Sequence, residues 1–165
     1  MMSTGSESQS LRRFDSQEQE VFLNLWRTYD CLKALEDQVF GEFGLSAQQY
    51  NALRLLRSVH PESMRTLVLG RRLISRGPDT TRMLDRLERR GLVSRERRSE
   101  NRRVVETSIT ALGIQLLDQM SERVLAMHHQ QLGHLQPEQL SQLTGLLRTA
   151  REPHEDSSCD WLNTG

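Results

Sequence analysis

The sequence predicts a mainly α-helical protein in which six helices and one two-stranded β-hairpin form a single domain. Three observations support this fold class. Apolar residues recur at steps of three and four through most of the chain, which is the helical period. They alternate at steps of two in only one short region. The chain has 165 residues and is 36% hydrophobic, which suits one core better than two independent domains.

The two ends of the chain are predicted to lie outside this domain. Residues 1–15 and 152–165 are mostly polar, so we expect flexible tails around a domain of residues 16–151. No segment approaches the roughly 20 apolar residues that a membrane-spanning helix needs, and the polar start lacks an export signal. We therefore expect a cytoplasmic protein without a membrane partner.

The first two helices are indicated by apolar spacing and by the residues at their ends. A long amphipathic helix of about residues 16–41 is predicted from side chains at steps of three and four, namely Val21, Phe22, Leu25, Trp26, Tyr29, Leu32, Leu35 and Val39. Ser46, followed three residues later by Gln49, forms a capping box that predicts the start of a second helix. Pro61 ends that helix, because proline cannot continue it.

Two short helices follow, separated by a tight turn. The first covers about residues 64–73. The second begins at Pro78, because a proline in the first helical turn loses no hydrogen bond, and it runs to Arg90. Gly91 then supplies a left-handed stop. Two short helices joined by a glycine-containing turn predict a helix-turn-helix.

A hairpin and two further helices complete the domain. Residues 92–97 and 104–109 alternate with a period of two and predict two strands, joined by an all-polar tip that forms a wing. Thr110 suits the N-cap of a fifth helix, and Pro137 suits the start of a sixth. Residues of about 46–110 therefore predict a winged helix-turn-helix with long helices on both sides.

The distribution of charge indicates the kind of partner. The formal net charge is zero, but residues 65–103 contain thirteen arginines against five acidic residues, an excess of eight positive charges. The rest of the chain carries the compensating negative charge. A local positive field attracts a polyanion, and the guanidinium group suits phosphates and guanine edges. A nucleic acid is the expected partner of this region.

The order and spacing of short motifs in the basic region resemble the MarR (multiple antibiotic resistance regulator) family of bacterial transcription factors. The matching motifs are Arg72-Leu73-Ile74-Ser75, Pro78-Asp79-Thr80-Thr81-Arg82-Met83-Leu84-Asp85-Arg86-Leu87-Glu88, Gly91-Leu92-Val93 with Arg95, Asn101-Arg102-Arg103, and Ile109-Thr110-Ala111-Leu112-Gly113. One position departs from the family pattern, because Asn101 stands where an aspartate usually steadies the wing arginine. The resemblance covers about residues 16–150 and implies a sequence-specific DNA-binding transcriptional regulator.

The expected contacts with double-stranded DNA come from the fourth helix and the wing. An α-helix fits the major groove, so exposed residues at the start of this helix should reach base edges, and the wing should reach an adjacent minor groove. We expect Arg82 to pair with guanine and Arg86 to contact phosphate. Arg103 stands at the family's wing-arginine position and is expected in the minor groove.

The complete set of candidate DNA-binding residues is larger. It comprises Arg76, Pro78, Asp79, Thr80, Thr81, Arg82, Arg86, Arg95, Arg97, Arg98, Arg102 and Arg103. Within this set, Arg95, Arg97 and Arg98 are expected to flank phosphates. Two alternatives stay open, namely that Thr80 faces the core and that Asp79 only complements the helix dipole.

The long helices at both ends predict a homodimer. The helices of about residues 16–41 and 110–150 carry more apolar surface than one small winged-helix core covers, so burial between two chains is expected, with a monomeric helical core as the alternative. The resemblance also implies dimerisation helices at both termini. A two-fold dimer presents two recognition helices to a pseudo-palindromic operator, where we expect it to act as a repressor.

The resemblance also implies release from DNA by a small aromatic or amphipathic effector. Trp26, Tyr29, Tyr50 and His60 are the candidate ligand-binding residues, with core packing as the alternative role. A regulator that senses oxidants through Cys31, in the first helix, is a further alternative. No metal site is predicted, because adjacent histidines point to different faces of a helix, and no cofactor is expected.

An enzymatic function is not indicated. The sequence has no glycine-rich phosphate loop, no HExxH and no GxSxG motif, and its clustered polar residues are nearly all arginine. The competing class is an interaction module whose basic face binds an acidic protein or RNA. Duplex binding without any sequence preference would favour that class.

Overall fold

The computed structural model describes residues 14–74, 79–97 and 103–155. Within these ranges the elements are, in chain order, α1 (Gln17–Glu42), α2 (Ala47–Ser58), β1 (Met64–Arg65), α3 (Thr66–Arg72), α4 (Thr80–Arg89), β2 (Val93–Arg97), β3 (Val105–Ile109), α5 (Ala111–Leu132) and α6 (Pro137–Arg151). This confirms the predicted class of a mainly helical chain with a hairpin. The described residues fall into two compact units, which divide between residues 34 and 35.

The predicted signals at three helix ends are confirmed. The Ser46 hydroxyl accepts a hydrogen bond from the Gln49 amide at 3.2 Å, and the Gln49 side chain accepts one from the Ser46 amide at 2.9 Å, as a capping box requires. Thr110 caps α5 by accepting from the Gly113 amide at 3.1 Å. Pro137 is the first residue of α6. The capping interactions of Ser46 and Thr110 each join residues within one helical turn.

The sheet has one strand more than the sequence predicts. Its order is β1-β3-β2, with all pairs antiparallel, so that β3 lies in the middle. Met64 pairs with Thr107. A two-residue strand is too short to show a period of two, so the prediction assigned residue 64 to the third helix. That helix begins instead at Thr66, whose hydroxyl lies 3.0 Å from that of Thr107.

The fourth helix begins two residues later than predicted. Asp79 is its N-cap and accepts a hydrogen bond from the Arg82 amide at 3.2 Å, so the helix starts at Thr80. Pro78, the predicted first residue, lies outside the described residues. At the other end Gly91 has φ of 70°, which confirms the left-handed stop.

The core of the unit formed by residues 35–165 consists mainly of leucines and methionines from α2, α4 and α5. The most deeply buried of these side chains are Leu53, Leu55, Leu56, Leu69, Leu84, Leu87, Met120 and Met127. The rings of Phe40 and Tyr50 stack at its margin, with centroids 4.6 Å apart. Burial of a leucine contributes roughly 1.5–3 kcal/mol, so this core holds α4 against the rest of the unit.

Two stretches of helix leave their large apolar side chains exposed. In residues 14–34, the exposed side chains are Val21, Phe22, Leu23, Leu25, Trp26 and Tyr29. No residue of α6 is buried, and Leu146 is 69% exposed. None of the described helices combines the length and the apolar character needed to cross a membrane.

A short turn extends α6 at its C-terminal end. Glu152–His154 form a 3-10 turn, and the guanidinium of Arg151 pairs with the carboxylate of Glu155 at 2.5 Å. The tail predicted from residue 152 therefore begins with an ordered turn. Residues 156–165, together with most of the tail predicted at residues 1–15, lie outside the described residues.

Candidate nucleic-acid interface

Helix α4 presents one apolar and one basic face. Met83, Leu84 and Leu87 are buried, and this stripe determines which side chains face solvent. Arg82 and Arg86 lie on the exposed side, one turn apart. The side chain of Arg82 is 79% exposed and pairs with the Asp79 carboxylate at 3.2 Å. Arg86 is therefore accessible to a ligand, and Arg82 is accessible to a ligand that can compete with Asp79.

The two threonines at the start of α4 lie in different environments. Thr81 is exposed, whereas Thr80 is half-buried. A Cβ at Gly70 of α3 would lie 3.7 Å from the Thr80 hydroxyl oxygen, so α3 and α4 approach closely at this point. Thr80 thus contributes to the packing between the two helices, while Thr81 faces outward.

A basic cleft of about 710 Å³ opens beside the N-terminal end of α4. It is lined by α3, by the start of α4 and by the base of the wing, through Arg65, Thr66, Leu67, Gly70, Arg71, Thr80, Thr81, Arg95, Arg103, Val104 and Val105. The cleft therefore brings four of the predicted candidates together with two arginines outside that set, Arg65 and Arg71. Arg65 reaches it because β1 pairs with β3, which no local pattern in the sequence indicates.

Arg95, predicted to flank a phosphate, has carboxylate partners within the protein. Its guanidinium Nε donates to Glu88 Oε2 at 3.0 Å, and its Nη2 donates to Glu88 Oε2 at 2.6 Å and to Asp85 Oδ1 at 2.5 Å. Hydrogen bonding to Glu88 raises the pKa of Arg95 above its usual value. The side chain is only 20% exposed. Its charge is balanced by Asp85 and Glu88, so a phosphate would have to compete with two carboxylates for this guanidinium.

The wing places two of the predicted arginines at its base. Arg97 is exposed at the end of β2, and Arg103 is exposed two residues before β3 begins. The candidates Arg98 and Arg102 lie outside the described residues, as does Asn101. Arg76 and Pro78, which precede α4 in the sequence, also lie outside them.

The four candidate effector-binding residues divide between the two units. Trp26 and Tyr29 belong to residues 1–34, and each is 62% exposed. Tyr50 is half-buried, it stacks on Phe40, and burial raises the pKa of its hydroxyl. The core-packing alternative therefore describes Tyr50 better than it describes the two exposed aromatic residues of α1.

Three further residues concern the proposed effector site, the redox alternative and the question of a metal site. His60 is exposed after α2, and Cys31 is exposed on α1. Nδ1 of His128 lies 2.9 Å from the side-chain oxygen of Gln131. Across the described ranges, no three His, Cys, Asp or Glu side chains are grouped so that they could hold a metal ion.

Known proteins resemble this chain in both sequence and fold. The sequence model of the MarR family matches residues 45–105. A MarR transcription factor from Planctomyces limnophilus, known from a crystal structure, is 54% identical over 83% of this chain and 99% of that chain, with a TM-score of 0.66. The HTH-type transcriptional regulator YkoM of Bacillus subtilis is 26% identical over 141 residues, which are 83% of this chain and 90% of YkoM.

The fold is also shared with a MarR family transcriptional regulator from Streptomyces coelicolor that was crystallised in complex with DNA. That protein is 22% identical over 92% of this chain and 97% of its own, with a TM-score of 0.77. Taken with the 54% identity to the Planctomyces limnophilus protein, these matches establish the family. The chain belongs to the MarR family of winged-helix, DNA-binding transcription regulators and is not an enzyme.

Proposed function

We propose that the protein is a homodimeric repressor that binds a pseudo-palindromic operator, with one α4 in each of two successive major grooves. The observation that carries the proposal is the amphipathic character of α4. Its apolar stripe is buried, and Thr81, Arg82 and Arg86 are exposed on other sides of the helix. A helix with this division can rest on a rigid core while its polar side chains reach base edges and phosphates.

Each candidate has a distinct role in this complex. Arg82 pairs bidentately with guanine, which gives specificity, and Arg86 contacts phosphate. Thr81 contacts a phosphate or a thymine methyl group, with Thr80 behind it. Arg97 and Arg103 lie at the base of the wing, where they contact the DNA backbone beside the minor groove. The proposed interface also includes Arg76, Pro78, Arg98 and Arg102, which lie outside the described residues.

Dimerisation is supported by the exposed apolar surface of the terminal helices. Trp26 of α1 and Leu146 of α6 are more than half exposed in the single chain, and α6 buries none of its residues. Exposed apolar surface of this kind is typical of interaction sites. Two copies joined through these helices present two recognition helices with a defined spacing, which a two-fold operator requires.

A small aromatic or amphipathic effector is the proposed signal. BpsR from Bordetella bronchiseptica shares the fold at 21% identity, with a TM-score of 0.74, and its structure concerns regulation of DNA binding by 6-hydroxynicotinic acid. In this chain the proposed contacts are Trp26 and Tyr29 in residues 1–34 and, separately, Tyr50 and His60 in residues 35–165. Such a ligand releases DNA only if it binds better to a conformer with wrongly spaced recognition helices.

Selection of genomic fragments bound by the full chain, followed by affinity measurements with variants, tests the proposal. Arg82→Ala should weaken binding to the selected operator by roughly 1–3 kcal/mol and relax base preference. Arg103→Ala should cost affinity mainly at operators with A·T-rich flanks. Arg54→Ala, an exposed arginine of α2 outside the proposed DNA and dimer surfaces, is the control and should bind as the parent does.

Two outcomes would overturn the proposal. If Arg82→Ala and Arg103→Ala bound every duplex with the affinity of the parent, α4 and the wing would not form the interface. A parent that binds operator and scrambled duplex equally, with the same salt dependence, would favour an interaction module for RNA or an acidic protein.

A further inference from the structure

An ion-pair cluster joins the recognition helix to the first strand of the wing. Arg95 of β2 lies between two carboxylates of α4, with its Nη2 2.5 Å from Asp85 Oδ1 and 2.6 Å from Glu88 Oε2. The backbone amide of Arg95 also donates to Glu88 Oε1 at 3.2 Å. Glu88 therefore holds both the side chain and the main chain of β2, and the strand cannot shift along α4 without breaking these bonds.

The cluster is continuous with the rest of the wing base. Arg95 pairs with Thr107 of β3 in the antiparallel ladder. Thr107 is fully buried, and its hydroxyl lies 3.0 Å from that of Thr66, at the start of α3. The base of the hairpin is thus attached to α4 on one side and to α3 on the other. Arg97 is two residues beyond the cluster on β2, so the cluster determines where this side chain is held.

We propose that Arg95 is a positioning residue for operator binding, which acts through Asp85 and Glu88 and does not touch DNA. It holds the wing at one orientation relative to α4, so that Arg97 and Arg103 reach the backbone while Arg82 reaches a base. Phosphate contacts set the register of a protein on its duplex, and a displaced wing therefore costs specificity. This inference rests on the function proposed above for the same surface.

Electrostatics alone and the positioning role predict different ratios of operator affinity to scrambled-duplex affinity for one substitution. Glu88→Gln removes a negative charge from a DNA-binding surface, which by itself raises affinity for any duplex. It also removes the ion pair with Arg95 and leaves one acceptor oxygen in place of two, so the bonds to the Arg95 amide and to its guanidinium cannot all be kept. We expect the ratio of operator affinity to scrambled-duplex affinity to fall about tenfold, as for loss of one base-pair contact.

Glu96→Gln is the matched control for this measurement. Glu96 is exposed on β2, next to Arg95, and faces Glu106 across the ladder. Its removal subtracts the same charge without touching the cluster, so the affinity ratio should stay at the parent value. Equal ratios for Glu88→Gln and Glu96→Gln would overturn the positioning role.

The salt dependence of binding separates positioning from a direct phosphate contact. Arg95→Gln should lower operator affinity and leave the slope of log K against log salt unchanged, because no phosphate contact is lost. Arg97→Gln, two residues along the same strand, should lower the slope by about 0.9, the value for one phosphate. A slope reduced equally in both variants would assign Arg95 to the DNA and overturn the inference.

Amide hydrogen exchange in free protein tests the cluster without DNA. Glu88→Gln should accelerate exchange of the β2 and β3 amides relative to Glu96→Gln, while exchange in α2 and α5 stays at the parent rate. Unchanged exchange in the strands would overturn the inference whatever the DNA result. If Glu88→Gln accelerates exchange in the strands but the parent protein shows no operator preference, the proposed function is overturned, and with it the role of Arg95 on DNA.

Discussion

The guanidinium of Arg90 donates hydrogen bonds to the carbonyl oxygens of Gly44, at 2.5 Å, and Phe43, at 3.1 Å. Arg90 is the C-cap of α4, and the two carbonyls lie in the turn between α1 and α2. Carbonyls at the end of a helix lack intrahelical partners, and a cation there also complements the helix dipole. The C-terminal end of the recognition helix is thereby attached to the end of α1.

Arg90→Ala should lower the free energy of unfolding by about 1 kcal/mol. Hydrogen bonds from a charged donor contribute roughly 1.5–3 kcal/mol, and solvent reduces this value because Arg90 is exposed. Arg89→Ala is the control, since the Arg89 side chain bonds to the Asp85 carbonyl of its own helix. Urea denaturation measures both variants. Equal losses would show that the link to Gly44 adds no stability.

Gly113→Ala should destabilise the protein strongly, by about 3 kcal/mol. A Cβ at this position would lie 2.4 Å from the Leu92 carbonyl oxygen and 2.7 Å from a side-chain carbon of Ile109, so α5 must move away from the sheet. Among the described residues of the single chain, a Cβ at Gly145 in the middle of α6 would meet no atom within 4 Å, so Gly145→Ala should stabilise by roughly 0.5–1 kcal/mol. Thermal unfolding should show melting temperatures that change in opposite directions.

Asp79→Asn should strengthen binding to duplex DNA without loss of stability. Asparagine caps a helix as well as aspartate does, so the bond from the Arg82 amide is kept. The substitution removes the carboxylate that pairs with the Arg82 side chain and repels phosphate. Titration with operator at two salt concentrations measures the change. Weaker operator binding would instead indicate that Asp79 accepts a hydrogen bond from a cytosine amino group.

The pair formed by Glu42 and Arg123 should make stability depend on pH in the acid range. The Arg123 guanidinium donates two hydrogen bonds to the Glu42 carboxylate, at 3.0 and 2.7 Å, and lowers the pKa of Glu42. Because the folded pKa is the lower one, the stabilisation is present above the unfolded pKa, about 4.3, and is lost as the pH falls through the folded pKa.

A double-mutant cycle measures this effect. The free energies of unfolding of the parent, Glu42→Gln, Arg123→Gln and the double variant give the coupling between the two side chains at each pH. The coupling should be constant near neutral pH and disappear as Glu42 is protonated. A coupling that persists at pH 2 would show that the charge of Glu42 is not its source.

Leu146→Glu should separate the proposed dimer into monomers. Leu146 lies on α6 and is 69% exposed in the single chain. A carboxylate at an apolar interface is costly to bury, so the subunits should part. Leu67→Glu is the control, because Leu67 on α3 is also 69% exposed but lies outside the proposed interface. Sedimentation of the Leu67 variant as a monomer, or of the Leu146 variant as a dimer, would contradict the assignment.

Features that depend on residues within about one helical turn could be read from the sequence alone. The capping box at Ser46 and Gln49, the N-cap at Thr110 and the left-handed stop at Gly91 are all confirmed. The buried stripe of α4, formed by Met83, Leu84 and Leu87, is also a local feature, because a period of 3.6 places these residues on one face. These local signals, with their spacing, were sufficient for the fold class and the family.

Features that depend on distant segments meeting were decided only by the tertiary structure. The pairing of Met64 with Thr107, the partners of Arg95 and the bonds from Arg90 to the α1–α2 turn join residues 7 to 47 positions apart. A basic side chain looks the same in a sequence whether it faces DNA or two carboxylates. Only packing determines which groups approach an arginine. It therefore decides whether the charge is neutralised within the protein or is accessible to a partner.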